Sequence, residues 1–186
     1  ERILISMGGS DSENTTSTVL QGLLLALRNH PGLGCVKLVT LILGAANPNI
    51  AAVERDVLKA RAEFAFKSIE FQIFVNAQNM ANLLTQHDLV LSAGGTTVFE
   101  TAFLGKPNLV LTTADNQDGT KELVRQGAIM SMGRYPDVDP LKIATALETL
   151  LESKAILSMP KIATKLVDGK GIQRVIQAMN LVSPAS

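Results

Sequence analysis

The residues best suited to chemistry gather at two turns. Residues 89–100 read LVLSAGGTTVFE: an apolar run, then Gly94 and Gly95, then Thr96 and Thr97, then Glu100. Residues 3–13 read ILISMGGSDSE, with Gly8, Gly9, Ser10 and Asp11 in the same relation to an apolar run. Residues without a Cβ let the backbone approach a ligand closely and take up positive φ. The amides at the start of a following helix lack partners and carry the positive end of its dipole. Together these features make an anion site, whose usual occupant is phosphate. Thr96 and Thr97 add hydroxyl donors. Thr97 with Glu100, and Ser10 with Glu13, also match the capping box, in which a hydroxyl and a carboxylate satisfy two backbone amides. Both readings stay open at each turn, although capping alone gives the paired glycines no use. Two such corners on one sheet suit a ligand with two phosphates. A third turn, Asp115-Asn116-Gln117, presents amide donors and acceptors that suit sugar hydroxyls, and it also fits an ordinary polar turn.

Sharper catalytic patterns are missing. The chain has no G-x-x-x-x-G-K-[ST], no G-x-G-x-x-G and no G-x-S-x-G. His30 and His87 are far apart, each near the end of a helical pattern, and His87 reads as a helix-terminal residue, not a base. No carboxylate pair stands out for acid–base work. The sequence offers binding equipment and leaves the catalytic residue unknown.

These turns need elements to hold them. Apolar runs at 3–7, 36–43, 69–75, 88–93, 108–113 and 128–133 read as six strands. Amphipathic stretches separate them, with helices predicted through about Arg28, over 47–65, over 78–86, from Thr97 to Leu104 and over 118–126. Gly105 and Gly127 suit helix C-termini, and Asp139-Pro140 suits an N-cap followed by proline at the first helical position. Helices then follow to the end, including 154–166 and a stripe of Ile172, Val175, Ile176 and Met179. Strands apolar on both faces that alternate with helices imply a doubly wound, Rossmann-like α/β fold with a parallel sheet of about six strands and C-terminal helices. In such sheets ligands bind beyond the carboxyl ends of the strands, where the polar turns lie.

The bulk numbers agree. A chain of 186 residues suits one domain over 1–186 and can bury about 70% of its unfolded surface. With 17 basic and 17 acidic residues, the net charge is zero, which argues against a broad grip on nucleic acid or an anionic membrane. No apolar stretch approaches the ~20 residues of a membrane span. The one cysteine, Cys35, lies in an apolar run and reads as a buried small side chain, which fits a reducing cytoplasm. The opening ERILIS, without a start methionine, reads as that of a domain taken from something longer.

ILISMGGSD, LVLSAGGTTVFETAFLGKP, ADNQ and DGKGIQRV together resemble the C-terminal half of the UDP-sugar hydrolases of pseudaminic acid biosynthesis. These are similar in turn to the lipid-linked N-acetylglucosaminyltransferases of peptidoglycan synthesis, and both are GT-B proteins with a UDP-sugar in the cleft between two domains. The resemblance runs in order through nearly the whole chain. It implies that Gly94, Gly95, Thr96 and Thr97 hold the diphosphate and that Glu100 accepts from the ribose hydroxyls. It implies that Gly9 and Ser10 close on the phosphates, that the backbone around Phe74 and Val75 reads the uracil edge beside Met80, and that Asn116 and Gln117 touch the sugar. It implies no metal and no cofactor. The N-terminal GT-B domain, which in the hydrolases carries a histidine that activates water, has no counterpart in this chain.

Overall fold

The computed structural model describes residues 1–117 and 119–182, with side chains to residue 179. Asp118, expected to open the helix before Gly127, and residues 183–186 lie outside the described residues. The strands are β1 (Arg2–Ser6), β2 (Leu38–Leu43), β3 (Glu70–Val75), β4 (Leu89–Ala93), β5 (Asn108–Thr112) and β6 (Met130–Arg134). The helices are α1 (Thr15–Asn29), α2 (Ile50–Glu63), α3 (Met80–Thr85), α4 (Thr97–Phe103), α5 (Thr120–Arg125), α6 (Pro140–Glu152), α7 (Ala155–Leu166) and α8 (Gly171–Val182). All strand pairs are parallel, in the order β3-β2-β1-β4-β5-β6. The order reverses between β1 and β4, so the crevice beyond their carboxyl ends is the binding position of a doubly wound sheet. Both glycine corners open onto it.

Alternation along the strands builds a core on each face. Ile3 and Ile5 of β1 join a large cluster with α1, α2 and α6, while Leu4 packs on the other face with Ile42, Leu84 and Val90. Val110 of β5 joins Val98, Ala102, Leu123 and Ala163 under α4, α5 and α7, while Leu109 and Leu111 face the large cluster. Side chains of period two on a sheet covered on both sides explain why the strands read as continuous apolar runs.

Several local expectations hold. Gly105 (φ 62) and Gly127 (φ 75) follow helix ends in the left-handed region. Asp139 accepts from the Lys142 amide at 2.8 Å, with Pro140 next to it. Others are corrected. The second strand begins at Leu38, not at residue 36, so Cys35 lies in the preceding loop and is exposed. The helical stripe Ile172, Val175, Ile176 and Met179 is real, but each of these side chains is more than half exposed and none lies in the core. Among the described residues no helix is long and apolar enough to cross a membrane.

Candidate functional site

The first corner follows β1. Gly8 needs its lack of a side chain for its backbone, at φ 97, whereas Gly9 does not have positive φ. The expected Ser10–Glu13 capping box does not form. Asp11 and Asn14 both take left-handed φ and close a turn, Asn14 amide to Asp11 carbonyl at 3.0 Å, which delays α1 to Thr15. The buried Asp11 carboxylate then accepts from the Thr15 amide and hydroxyl at 2.7 and 2.6 Å and from the Thr16 amide at 3.0 Å. A carboxylate therefore already holds the start of α1, and phosphate cannot use it. The amides of Gly9 and Ser10 donate to no described group.

Sequence reasoning missed Gly44, at the end of β2. A Cβ there would stand 1.9 Å from the Gly9 carbonyl oxygen, so the two loops interlock backbone to backbone. Asn49 fastens the same pair of loops by donating to the carbonyls of Asp11 at 2.9 Å and Ser12 at 3.2 Å. The only signal was a glycine at a strand end.

The second corner follows β4. Gly94 is buried, its amide donates to the Leu111 carbonyl at 3.1 Å, and a Cβ on it would stand 2.7 Å from the Gln117 carboxamide oxygen. Its part is packing. Gly95 is exposed, lacks positive φ and has nothing within 4 Å of where its Cβ would stand. The amides of Gly95, Thr96 and Thr97 donate to no described group. The Thr97–Glu100 capping box is also absent. Helical geometry already includes Thr96 (φ −63), so Thr97 lies inside α4, past the cap position, and no side chain caps. Glu100 is exposed, and its carboxylate has no hydrogen bond or ion pair among the described residues. Beneath α4, buried Asn108 donates to Ser92 at 3.0 Å and Thr101 at 2.9 Å, bracing the helix that presents Thr96 and Thr97.

The third turn divides its two amides. Gln117 is an internal brace, accepting from the Thr113 amide at 2.8 Å and donating to its hydroxyl at 3.0 Å, while Asn116 is exposed. Asp115 pairs with Arg134. Next to Arg134, the Tyr135 hydroxyl donates to Glu13 at 3.1 Å, and that bond holds the phenol above its ordinary pKa.

The edge strand distinguishes Phe74 from Val75. Glu70 and Asn76 donate to β2-side carbonyls at 2.8 Å, so period two turns the backbone of Phe74 into the ladder and that of Val75 outward. Both side chains are exposed at the end of β3. Asn76, Ala77 and Met80, not these two side chains, line the neighbouring cleft. His87 lies at the other end of the sheet, before β4. Its Nδ1 faces the Leu83 carbonyl at 2.6 Å and its Nε2 faces the Thr40 hydroxyl at 2.8 Å. The carbonyl requires Nδ1–H, and in the neutral ring Nε2 then accepts from the Thr40 hydroxyl. Burial lowers its pKa despite the opposing bond to Leu83.

Three clefts meet at Gly95. One of about 300 Å³ runs between the corners, lined by Gly8, Gly9, Gly44, Gly95, Thr96 and Thr97 with Met80 on the far wall, and contains no charged residue. A second, about 320 Å³, lies between Gly95 and Tyr135 and contains Asp11 and Glu13. A third, about 330 Å³, contains Thr96, Phe99, Asn116 and Gln117. Glu100 lines none of them.

Known proteins share this arrangement of elements. The Spore coat polysaccharide biosynthesis protein SpsG of Bacillus subtilis (strain 168) is 30% identical over 175 residues, which are 93% of this chain and 48% of that protein. MurG of Acinetobacter baumannii superposes with a TM-score of 0.68 at 18% identity, over 97% of this chain and 50% of the other. The UDP-GlcNAc 2-epimerase of Neisseria meningitidis, bound to UDP-GlcNAc, superposes with a TM-score of 0.68 at 19% identity, over 96% and 44%. The chain thus spans about half the length of these relatives. Residues 4–176 match the glycosyltransferase family 28 C-terminal domain, and the chain belongs to that family.

Proposed function

We propose that this chain is the UDP-sugar-binding domain of a two-domain cytoplasmic enzyme. The enzyme acts at the anomeric carbon and releases UDP in bacterial surface-polysaccharide or nonulosonic-acid biosynthesis, as a hydrolase ahead of a transferase. The observation that carries the reading is a division of labour within each glycine pair. Gly8 and Gly94 serve the fold, through positive φ and close packing, whereas nothing in the fold requires a glycine at 9 or 95. Both open onto one uncharged cleft, beside amides without partners among the described residues. A ligand that must touch the backbone at both corners accounts for them.

The diphosphate lies at Gly95, Thr96 and Thr97, with Gly9 closing from the first corner, while Ser10 lines the second cleft and meets the phosphates only through its backbone amide. Unpaired amides in a partly enclosed site stabilise the charge that develops on departing UDP. Uracil lies toward Met80 and takes its backbone bonds from Val75. Glu100, whose carboxylate has no partner among the described residues, accepts from the ribose 2′ and 3′ hydroxyls. Asn116 faces the sugar, and Gln117 acts by holding that turn. Water or an acceptor hydroxyl attacks the anomeric carbon, activated from the N-terminal domain. Ile172, Val175 and Ile176 of α8, each more than half exposed among the described residues, form the face that domain would cover. The names of the relatives are in keeping: one is a polysaccharide biosynthesis protein and one is an epimerase bound to UDP-GlcNAc. GGSD near the start and DGKGIQRV near the end favour the hydrolase.

The test is thermal stabilisation by nucleoside diphosphates. UDP raises the melting temperature more than ADP or GDP does. Equal shifts with all three would mean a generic nucleotide module, and no shift with any would remove the reading.

A further inference from the structure

The charges around Gly95 are unevenly placed. Of the two clefts that share Gly8, Ala93 and Gly95, the first contains no charged residue and the second contains Asp11 and Glu13 with no cation in its lining. Arg134, beside Tyr135 in the chain, is engaged by Asp115. A diphosphate is therefore turned away from the second cleft and toward the first, and whatever enters the second cleft is neutral or a hydrogen-bond donor. Asp11 is committed to the start of α1. Glu13 is exposed, accepts from Tyr135 through one oxygen and makes no other hydrogen bond or ion pair among the described residues. The bond joins residues 122 apart, so the end of β6 fixes a carboxylate carried by the loop after β1. A fixed carboxylate acceptor beside a phenol suits a pyranose, whose hydroxyls donate.

We propose that the Glu13–Tyr135 pair selects the sugar: it receives a neutral glycosyl group bearing hydroxyl or amide donors and rejects one that carries a carboxylate. The inference rests on the UDP-sugar reading above and adds to it a position and a charge rule for the sugar. It also separates two placements. A sugar confined to the third cleft, beside Asn116, would meet no charge from Glu13.

Calorimetric titration of the purified protein with UDP, UDP-N-acetylglucosamine and UDP-glucuronate tests this. The wild type binds the glucuronate roughly fivefold to tenfold more weakly than the neutral sugar nucleotide, the effect of one like charge about 4 Å away in a water-like dielectric. Glu13→Gln closes that gap and leaves UDP affinity unchanged. Tyr135→Ala weakens the neutral sugar nucleotide and not UDP. Both residues lie at the surface of the cleft, and an unchanged melting temperature in each variant certifies the fold. A wild type that does not discriminate, a gap that survives Glu13→Gln, or variants that weaken UDP and the sugar nucleotides in equal proportion would each overturn the inference while UDP binding stands. Failure of the wild type to bind UDP would remove the functional reading and this inference with it.

Discussion

Gly95→Ala puts the argument at most risk. A Cβ on Gly95 meets nothing within 4 Å, and its φ is not in the left-handed region. The fold should therefore tolerate alanine, and restricting the unfolded chain should stabilise the protein by about 0.4–1 kcal/mol. In a chain of this length each kcal/mol moves the melting temperature by about 2–4 °C. Binding should change in the opposite direction. The methyl group would stand in open space where the clefts meet and hold a phosphate off the Gly95 and Thr96 amides. Loss of one hydrogen bond to a charged group costs about 1.5–3 kcal/mol, or roughly tenfold to 150-fold in affinity. Thermal melting gives the first quantity and calorimetric titration with UDP gives the second. Gly44→Ala is the contrasting variant. To bring its Cβ from 1.9 Å to a normal carbon–oxygen contact of about 3.3 Å, the Gly9 loop must move by about 1.4 Å. That variant should lose both stability, by about 1–3 kcal/mol, and UDP affinity. A Gly95→Ala protein that binds UDP as tightly as the wild type would refute the reasoning, because the glycine would then serve neither the fold nor a ligand.

Four further outcomes are expected. Glu100→Ala leaves stability within about 0.5 kcal/mol, since nothing in the fold depends on it, but weakens UDP at least about tenfold; unchanged affinity by titration would take Glu100 out of the site. Asn108→Leu strands Ser92 and lowers stability by about 1–3 kcal/mol in denaturant melts. His87 is held neutral by burial, so its folded pKa lies below the ordinary value of about 6.5. The unfolded chain takes up this proton first as pH falls, so the contribution of His87 is intact above about 6.5 and is lost below it, toward the lowered folded value. Melting temperatures from pH 7.5 to 5 should therefore fall less steeply in His87→Gln than in the wild type. Ile176→Lys, on the exposed face of α8, leaves the melting temperature of this chain unchanged within error and weakens pull-down by the proposed N-terminal domain.

The six strands, their parallel pairing and the helix ends at Gly105, Gly127 and Asp139 were legible because each rests on local physics: apolar period, the left-handed preference of glycine, and the fit of Asp-Pro to a helix start. The gathering of polar turns at one end of the strands was legible for the same reason, and the clefts between the corners open there. The capping boxes failed because a spacing of three residues says nothing about where a helix begins. At the first corner two left-handed residues delayed α1 and gave the cap to Asp11, and at the second Thr97 fell inside α4.

The chain by itself determined which turns carry paired glycines and hydroxyls and which end of the sheet would carry them, because strand and turn chemistry are written within a few residues of one another. Only the tertiary structure decided which glycine of each pair is structural, that Gly44 abuts Gly9, and that Glu13 meets Tyr135 from 122 residues away. Those facts depend on crossovers between β1, β2, β4 and β6, and contact across a sheet is fixed by register and packing, which a local pattern does not contain.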